Sequence, residues 1–254
     1  MGGKAMNELL LRRRVAAKSI PSVLNYVQSG LVAIWDGIEN AGVGVHDNNA
    51  SSWKDLSGNN RNWVLESGAS WADNAFVTLP TMGFAARFSP AIAYSSIITQ
   101  EIVLEVFDFE DNTRNDFFKF GTTVDRNVGG NRRYYMMRGL AYSRDSYYGW
   151  MPKHSSCMAV SDSTPPINTP QSIVTVYATG TSQSTNPQKF LINNVSKTGW
   201  QAVGWSDGDS PYISRDNIGF YGKVYAIRLY NRALTTAELT QNYELDKIRF
   251  RLNI

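Results

Sequence analysis

The stretch from Gly219 to Phe250, GFYGKVYAIRLYNRALTTAELTQNYELDKIRF, constrains the fold more than any other, because its periodicity changes within a few residues. From Lys223 to Tyr230 the residues alternate: Val224, Ala226, Arg228 and Tyr230 fall on one side, Lys223, Tyr225, Ile227 and Leu229 on the other. A period of two is that of a strand. After the Asn231-Arg232 turn, Thr235 and Glu238 have the spacing of a capping box, which satisfies two orphan amides at a helix start. Leu239, Asn242, Tyr243 and Asp246 then share a helical face. The alternating apolar positions Ile248, Phe250, Leu252 and Ile254 read as a last strand. The chain is expected to end as strand, tight turn, capped helix and final strand.

The 254 residues suffice for one large all-β domain or two small ones. Hydrophobic residues make up 43% and aromatics 12%, with Gly, Asn, Ser and Thr between apolar runs, a composition that suits short strands joined by turns. No run of about 18 apolar residues exists, so neither a membrane-spanning helix nor a membrane partner is expected. The net charge of +3 is mild, and the basic residues are spread out apart from Arg12, Arg13, Arg14 and the pair Arg132, Arg133, which argues against nucleic acid as a partner. Cys157 is the single cysteine and excludes an internal disulfide; it reads as a small buried residue. With only His46 and His154, no structural zinc site is expected.

Residues 1–21 form a basic arm rich in helix formers from Asn7 to Lys18 and ending at Pro21. It reads either as a loose leader or as an arm that docks on a partner through Leu9, Leu10 and Leu11, with Arg12, Arg13 and Arg14 as its polar contact. The apolar triplet precedes the arginines, the reverse of the order in a secretory signal, so release by that route is not expected. Strands are expected at Ser22–Val27, Gly30–Gly37, Phe76–Leu79, Ala85–Phe88, Thr99–Phe109, Arg132–Ala141, Ser172–Thr179 and Lys189–Val195, the last two as a hairpin. The intervening segment Asn112–Asn131 reads as polar, with scattered acids.

In Trp53–Asn60, WKDLSGNN, Asp55 and Ser57 can bond back to turn amides while Gly58 or an asparagine takes positive φ. The same stretch offers Asp55, Ser57, Asn59 and Glu66 at the spacing of an EF-hand loop, but Asn60 stands where the sharp bend needs glycine, so calcium is discounted in favour of a structural turn. Asp207 and Asp209 are a second, weaker pair of calcium-type carboxylates.

Aromatic residues gather twice. Tyr147, Tyr148 and Trp150 surround Gly149 beside Arg144 and Asp145, and Trp200, Trp205 and Tyr212 lie near Asp207. Flat apolar rings beside directional polar groups suit stacking on a sugar, so Arg144, Tyr147, Tyr148, Trp150, Trp205, Asp207 and Tyr212 form the candidate ligand-binding set. The alternative is that the rings plug one end of the core.

Gly222–Glu238, GKVYAIRLYNRALTTAE, resembles the closing strand and helix of laminin-G-like domains of the concanavalin A-like lectin/glucanase superfamily. Trp53–Asn60 resembles the turn after the first strands of that superfamily, and Lys189–Val195 a later strand, with Asn194 in place of a glycine. Motifs at both ends of the chain imply one domain over residues 22–254. The resemblance implies an all-β fold, a two-sheet antiparallel jelly-roll sandwich (concanavalin A-like) with a short C-terminal helix behind an N-terminal basic arm. It further implies a non-catalytic adhesion domain for a glycan or host-surface polymer, of the kind found in virion proteins of tailed phages. Residues 1–25 would then contact other virion proteins, and a homo-oligomer would suit the setting, although no heptad repeat would build it. The alternatives are a free secreted or cell-surface carbohydrate-binding module and a glucanase. Glucanases of the superfamily carry alternating acids on one strand; here Val103 interrupts Glu101 and Glu105, while Glu105 and Asp108 fall on opposite faces, and only Asp108 and Glu110 share one. No catalytic residue, metal or cofactor is therefore expected.

Overall fold

The computed structural model describes residues 20–65, 70–72, 74–78, 86–88, 98–108, 115–125, 135–143, 147–151, 158–159, 166–176, 189–196, 212–213 and 221–252. Strands are numbered along the chain. The first sheet runs β14 (Val195–Ser196), β13 (Lys189–Ile192), β12 (Gln171–Val176), β7 (Thr99–Asp108), β16 (Tyr221–Tyr230), β5 (Ala75–Thr78) and β4 (Ser70–Ala72), with β1 (Leu31–Asp36) also paired to β16. The second runs β11 (Met158–Ala159), β10 (Tyr147–Met151), β9 (Tyr135–Ser143), β8 (Asn115–Asp125), β15 (Tyr212–Ile213), β6 (Ala86–Phe88), β3 (Trp63–Leu65) and β2 (Ser52–Trp53). All the pairings are antiparallel, and the expected all-β sandwich is the fold observed.

β16 organises the first sheet. β7 lies along one edge, while β5 (against Gly222–Val224) and β1 (against Ala226–Tyr230) share the other end to end. Gly37 sits where β1 hands over to β5. Its N–H donates to the Tyr225 carbonyl at 2.8 Å, and a Cβ there would stand 2.4 Å from the Asn74 carbonyl oxygen, a backbone atom that cannot swing away.

Pairing register separates the two faces of this sheet. Trp35, Ile227, Ile102 and Ile173 form one cross-strand row; Ile34, Arg228, Glu101 and Val174 form the next, on the opposite face. The first face meets the second sheet. Trp35 packs edge-on against Trp63 with centroids 5.3 Å apart, and Trp53 stacks on Phe76 at 5.8 Å. All four rings are fully buried, so the sheets are joined by aromatic surface removed from water.

The other face is covered by helix α1 (Thr236–Phe250) and by residues 21–27, in three departures from the sequence reading. First, the alternation in β16 breaks at a bulge between Val224 and Ala226, so Tyr225 and Ala226 join one cluster with Tyr243, Phe250 and Leu252 instead of dividing between faces. Second, no final strand forms: α1 runs through Ile248 to Phe250 and ends at Arg251 in the left-handed region, φ 54°. Asp246, Arg249 and Phe250 continue the buried face of Leu239, Asn242 and Tyr243, so the helical period wins over the alternating apolar one. Third, Val23–Asn25 is a 3₁₀ turn capped by Ser22, not a strand. The Val23 amide donates to Glu39 Oε1 at 3.1 Å and the Val27 amide to Asn242 Oδ1 at 3.0 Å, so side chains satisfy the backbone where a neighbouring strand would have done so.

The capping box forms as expected. Glu238 N donates to Thr235 Oγ1 at 3.3 Å and Thr235 N to Glu238 Oε2 at 2.8 Å. Hydrogen bonds from Arg232, reinforced by the Thr235 amide, pull the Glu238 carboxyl down to about 2. The Trp53–Asn60 turn is structural too: the Asp55 carboxylate accepts from the amides of Ile34, Ser57 and Arg61 at 3.1, 2.9 and 3.0 Å, with Gly58 and Asn60 at positive φ. β12 and β13 pair as the expected hairpin, and the next turn uses Asn193 and Asn194, both at positive φ. The segment read as merely polar holds β8, whose partner is β9.

Between α1 and the first sheet lies a buried ionic layer. Arg228, 1% exposed, donates through Nε to Glu101 at 2.6 Å and through Nη1 and Nη2 to Asp246 at 2.8 and 2.6 Å. Tyr26 OH and Ser172 Oγ complete Asp246. Arg249 pairs with Asp36 at 2.8 Å and with Glu39 at 3.1 Å. The layer thus sets four carboxyl groups against two guanidiniums in a dry site. Glu101 Oε2 accepts from Arg228 and Asn242, whereas its buried Oε1 has no hydrogen-bond partner. Burial pushes this carboxyl above its ordinary 4.5, against the lowering pull of Arg228.

A proton held more tightly in the folded than in the unfolded state stabilises the fold at low pH, and that stabilisation is lost as pH rises through the folded-state value. Glu101→Gln removes this titration. Its melting temperature should therefore decline less than that of the parent as pH is raised from 4.5. Parallel melting curves across that window would show that Glu101 is not the titrating group.

Candidate functional site on the second sheet

Residues directly opposite one another in an antiparallel ladder share a face. Ser52 pairs with Val64, Val64 with Arg87, Arg87 with Tyr212, Tyr212 with Lys119, Lys119 with Gly139 and Gly139 with Met151. These seven therefore form one row across the second sheet. Val64 fixes which face it is: Val64 is 58% exposed, whereas its neighbour Trp63, on the opposite face, is fully buried against Trp35. Asp116, Ala141 and Gly149 form the next row on the Val64 face, followed by the pair Ser143 and Tyr147. Phe118, Leu140 and Trp150, and then Asn115, Tyr142 and Tyr148, form rows on the Trp63 face.

The first aromatic group, Tyr147, Tyr148 and Trp150, lies on a strand, because Tyr147–Met151 completes a hairpin with β9. Within the candidate ligand-binding set, Tyr147 and Tyr212 share the Val64 face while Tyr148 and Trp150 share the Trp63 face. Arg144, Trp205 and Asp207 lie outside the described residues, as do Cys157, Asp209 and the arm residues Leu9, Leu10, Leu11, Arg12, Arg13 and Arg14. Arg87, Asp116 and Lys119 were not singled out from the sequence. Arg87 lies on β6 and both Asp116 and Lys119 on β8; pairing through β15 brings Arg87 and Lys119 to one face, and the register shift between Asp116 and Phe118 puts Asp116 there too.

Glu101, Glu105 and Asp108 lie on β7 of the other sheet, and Glu110 lies outside the described residues. Glu101 belongs to the ionic layer, and Glu105 accepts the Tyr225 hydroxyl with Lys223 Nζ 3.9 Å away. Burial, then the hydrogen bond to Glu105, raises the Tyr225 hydroxyl far above its ordinary value. Among the described residues no three His, Cys, Asp or Glu side chains converge as a metal site.

Two antiparallel sheets packed through an aromatic core, with one helix on an outer face, define the class: an all-β sandwich. No protein-family model and no curated protein matches the chain. Solved structures do match. The sialidase of Trypanosoma rangeli, in complex with 2,3-difluorosialic acid as a covalent intermediate, superposes with a TM-score of 0.61 at 13% identity, covering 86% of this chain and 33% of the sialidase. The same sialidase with the inhibitor DANA gives a TM-score of 0.60 at 14% identity, covering 96% of this chain and 39% of that one. The binding domain of Paraclostridial Mosquitocidal Protein 1 gives 0.56 at 16% identity, covering 85% and 52%. The chain thus spans about a third of the sialidase chain and half of the toxin chain. At these identities the likeness is one of fold.

Proposed function

We propose that this chain is a non-catalytic carbohydrate-binding β-sandwich. The observation that carries the reading is that Tyr147 and Tyr212 share the Val64 face of the second sheet, the face opposite the buried Trp63, whereas Tyr142, Tyr148 and Trp150 share the Trp63 face. Aromatic positions on that face suit stacking against sugar C–H groups, and Arg87, Lys119 and Ser143 on the same face are polar positions suited to hydroxyl groups. The resemblance of Gly222–Glu238 to laminin-G-like domains supports it. So does the fold shared with a sialidase that holds a sialic acid derivative and with a toxin binding domain. The non-catalytic half of the reading is supported by Glu101 and Glu105, whose carboxylates are committed to Arg228 and Tyr225 beneath or beside α1.

Within this reading the sandwich is carried on a phage particle, with residues 1–21 as its anchor and Leu9 to Arg14 as the contact. Support comes from the laminin-G-like ending and the arginine-rich arm; neighbouring capsid or tail genes are the check on this setting. A glycan array tests the binding itself: the parent should retain defined glycans, and Tyr147→Ala and Trp205→Ala should weaken retention several-fold, as expected when about 0.5–1.5 kcal/mol of aromatic stacking is lost. A parent that binds no glycan rejects the reading.

A further inference from the structure

We propose that the cross-strand row Arg87–Tyr212–Lys119, on the Val64 face of the second sheet, is a subsite for a carboxylate-bearing sugar unit of an acidic polysaccharide. This rests on the glycan-binding reading and names its ligand class. The juxtaposition comes from the ladder: Tyr212 is the direct partner of both Arg87 and Lys119, so an aromatic position lies between two cationic ones on adjacent strands. Strands lie about 4.8 Å apart, which separates the two cationic positions by roughly 10 Å. That is a span on the scale of a disaccharide. A planar carboxylate suits a guanidinium that donates two parallel hydrogen bonds and a lysine that adds a point charge, while the ring position suits the apolar face of the same sugar. A neutral sugar has no equivalent use for two cations flanking one ring.

The rest of the face decides between polyanions. Asp116 occupies the next row, beside Ala141 and Gly149, and Gly139 continues the cationic row itself. A carboxylate one row away accepts from sugar hydroxyl groups but repels a continuous track of phosphates, and the chain as a whole carries only +3. The small residues Gly139, Ala141 and Gly149 take up little room beside the row, so a polymer can lie across the strands.

The test is titration calorimetry and affinity electrophoresis with polygalacturonate, its methyl-esterified form, neutral laminarin and single-stranded DNA. Polygalacturonate should bind, and esterification, which removes the charge and keeps the sugar backbone, should abolish binding without any change to the protein. Arg87→Gln and Lys119→Gln should each weaken binding roughly tenfold or more, as expected for loss of a charged hydrogen bond. Circular dichroism and melting curves should match those of the parent. Equal binding to the esterified polymer or laminarin overturns the acidic subsite and leaves the glycan reading standing. Equal or tighter binding to DNA overturns the subsite in favour of a general polyanion surface. Binding to none of the glycans here or on the array overturns both.

Discussion

Arg228→Ala is expected to destabilise the fold by about 3–5 kcal/mol, the range for removing one partner of a buried ion pair. Its guanidinium makes three hydrogen bonds to Glu101 and Asp246 from a position 1% exposed, and it lies 4.2 Å from the centre of the Tyr26 ring. Deleting it leaves two carboxyl groups facing each other in a dry layer, and each must take up a proton or draw in water. Domains of this kind are held by only about 5–15 kcal/mol, so one substitution removes a large share. Arg228→Lys should recover little, because one ammonium cannot serve the Glu101 and Asp246 directions together. Urea denaturation provides the measurement. A loss below about 1 kcal/mol for Arg228→Ala would mean that the layer relaxes around the gap and does not clamp α1 to the sheet.

The residues that carry this layer were legible in the sequence only in part. Thr235 and Glu238 announced the helix start, because a capping box is local: both partners lie within one turn. Asp55 and Gly58 announced their turn for the same reason. Arg228 reads simply as one member of an alternating strand, since its partners Glu101, Asp246 and Tyr26 lie 127, 18 and 202 residues from it in sequence. Long-range pairing leaves no local period. The bulge at Tyr225 has the same character: it is set by the register of β7 against β16, and nothing in VYAI departs from regular alternation. The end of α1 misled because Ile248, Phe250 and Leu252 fit a strand period, while the helical period ran through Asp246 and Arg249, whose burial depends on Arg228 and Asp36 being beneath them.

The candidate site shows the same division more sharply. Tyr147 and Trp150 were visible as aromatic residues, but a strand period assigns them to opposite faces once β10 is known to be a strand. Arg87, Tyr212 and Lys119 become neighbours only through pairings that span 125 and 93 residues, so the chemistry of the row is not legible without the ladder.

Trp53→Ala should cost about 3–5 kcal/mol as well, for a different reason: a buried aromatic ring is replaced by a cavity. Trp53 is fully buried; it stacks on Phe76 and packs edge-on against Trp71 at 5.4 Å. Its indole N–H also donates to the Asp36 carbonyl at 2.9 Å, and the carboxylate of Asp36 pairs with Arg249 on α1. One residue of β1 is thus gripped from the second sheet on one side and from the helix on the other. Trp53→Phe separates the two contributions. It keeps an aromatic ring but removes the donor, so its cost should be lower, about 1–3 kcal/mol. Chemical denaturation ranks the pair, and hydrogen exchange locates the damage: in Trp53→Ala, protection should fall in β2 and β3 and also at the Ile38 and Glu39 amides, because Asp36, whose carboxylate accepts from both, has lost the indole that holds its carbonyl. If protection falls in β2 and β3 alone, the second sheet and the helix are held independently, and Asp36 is not the joint between them.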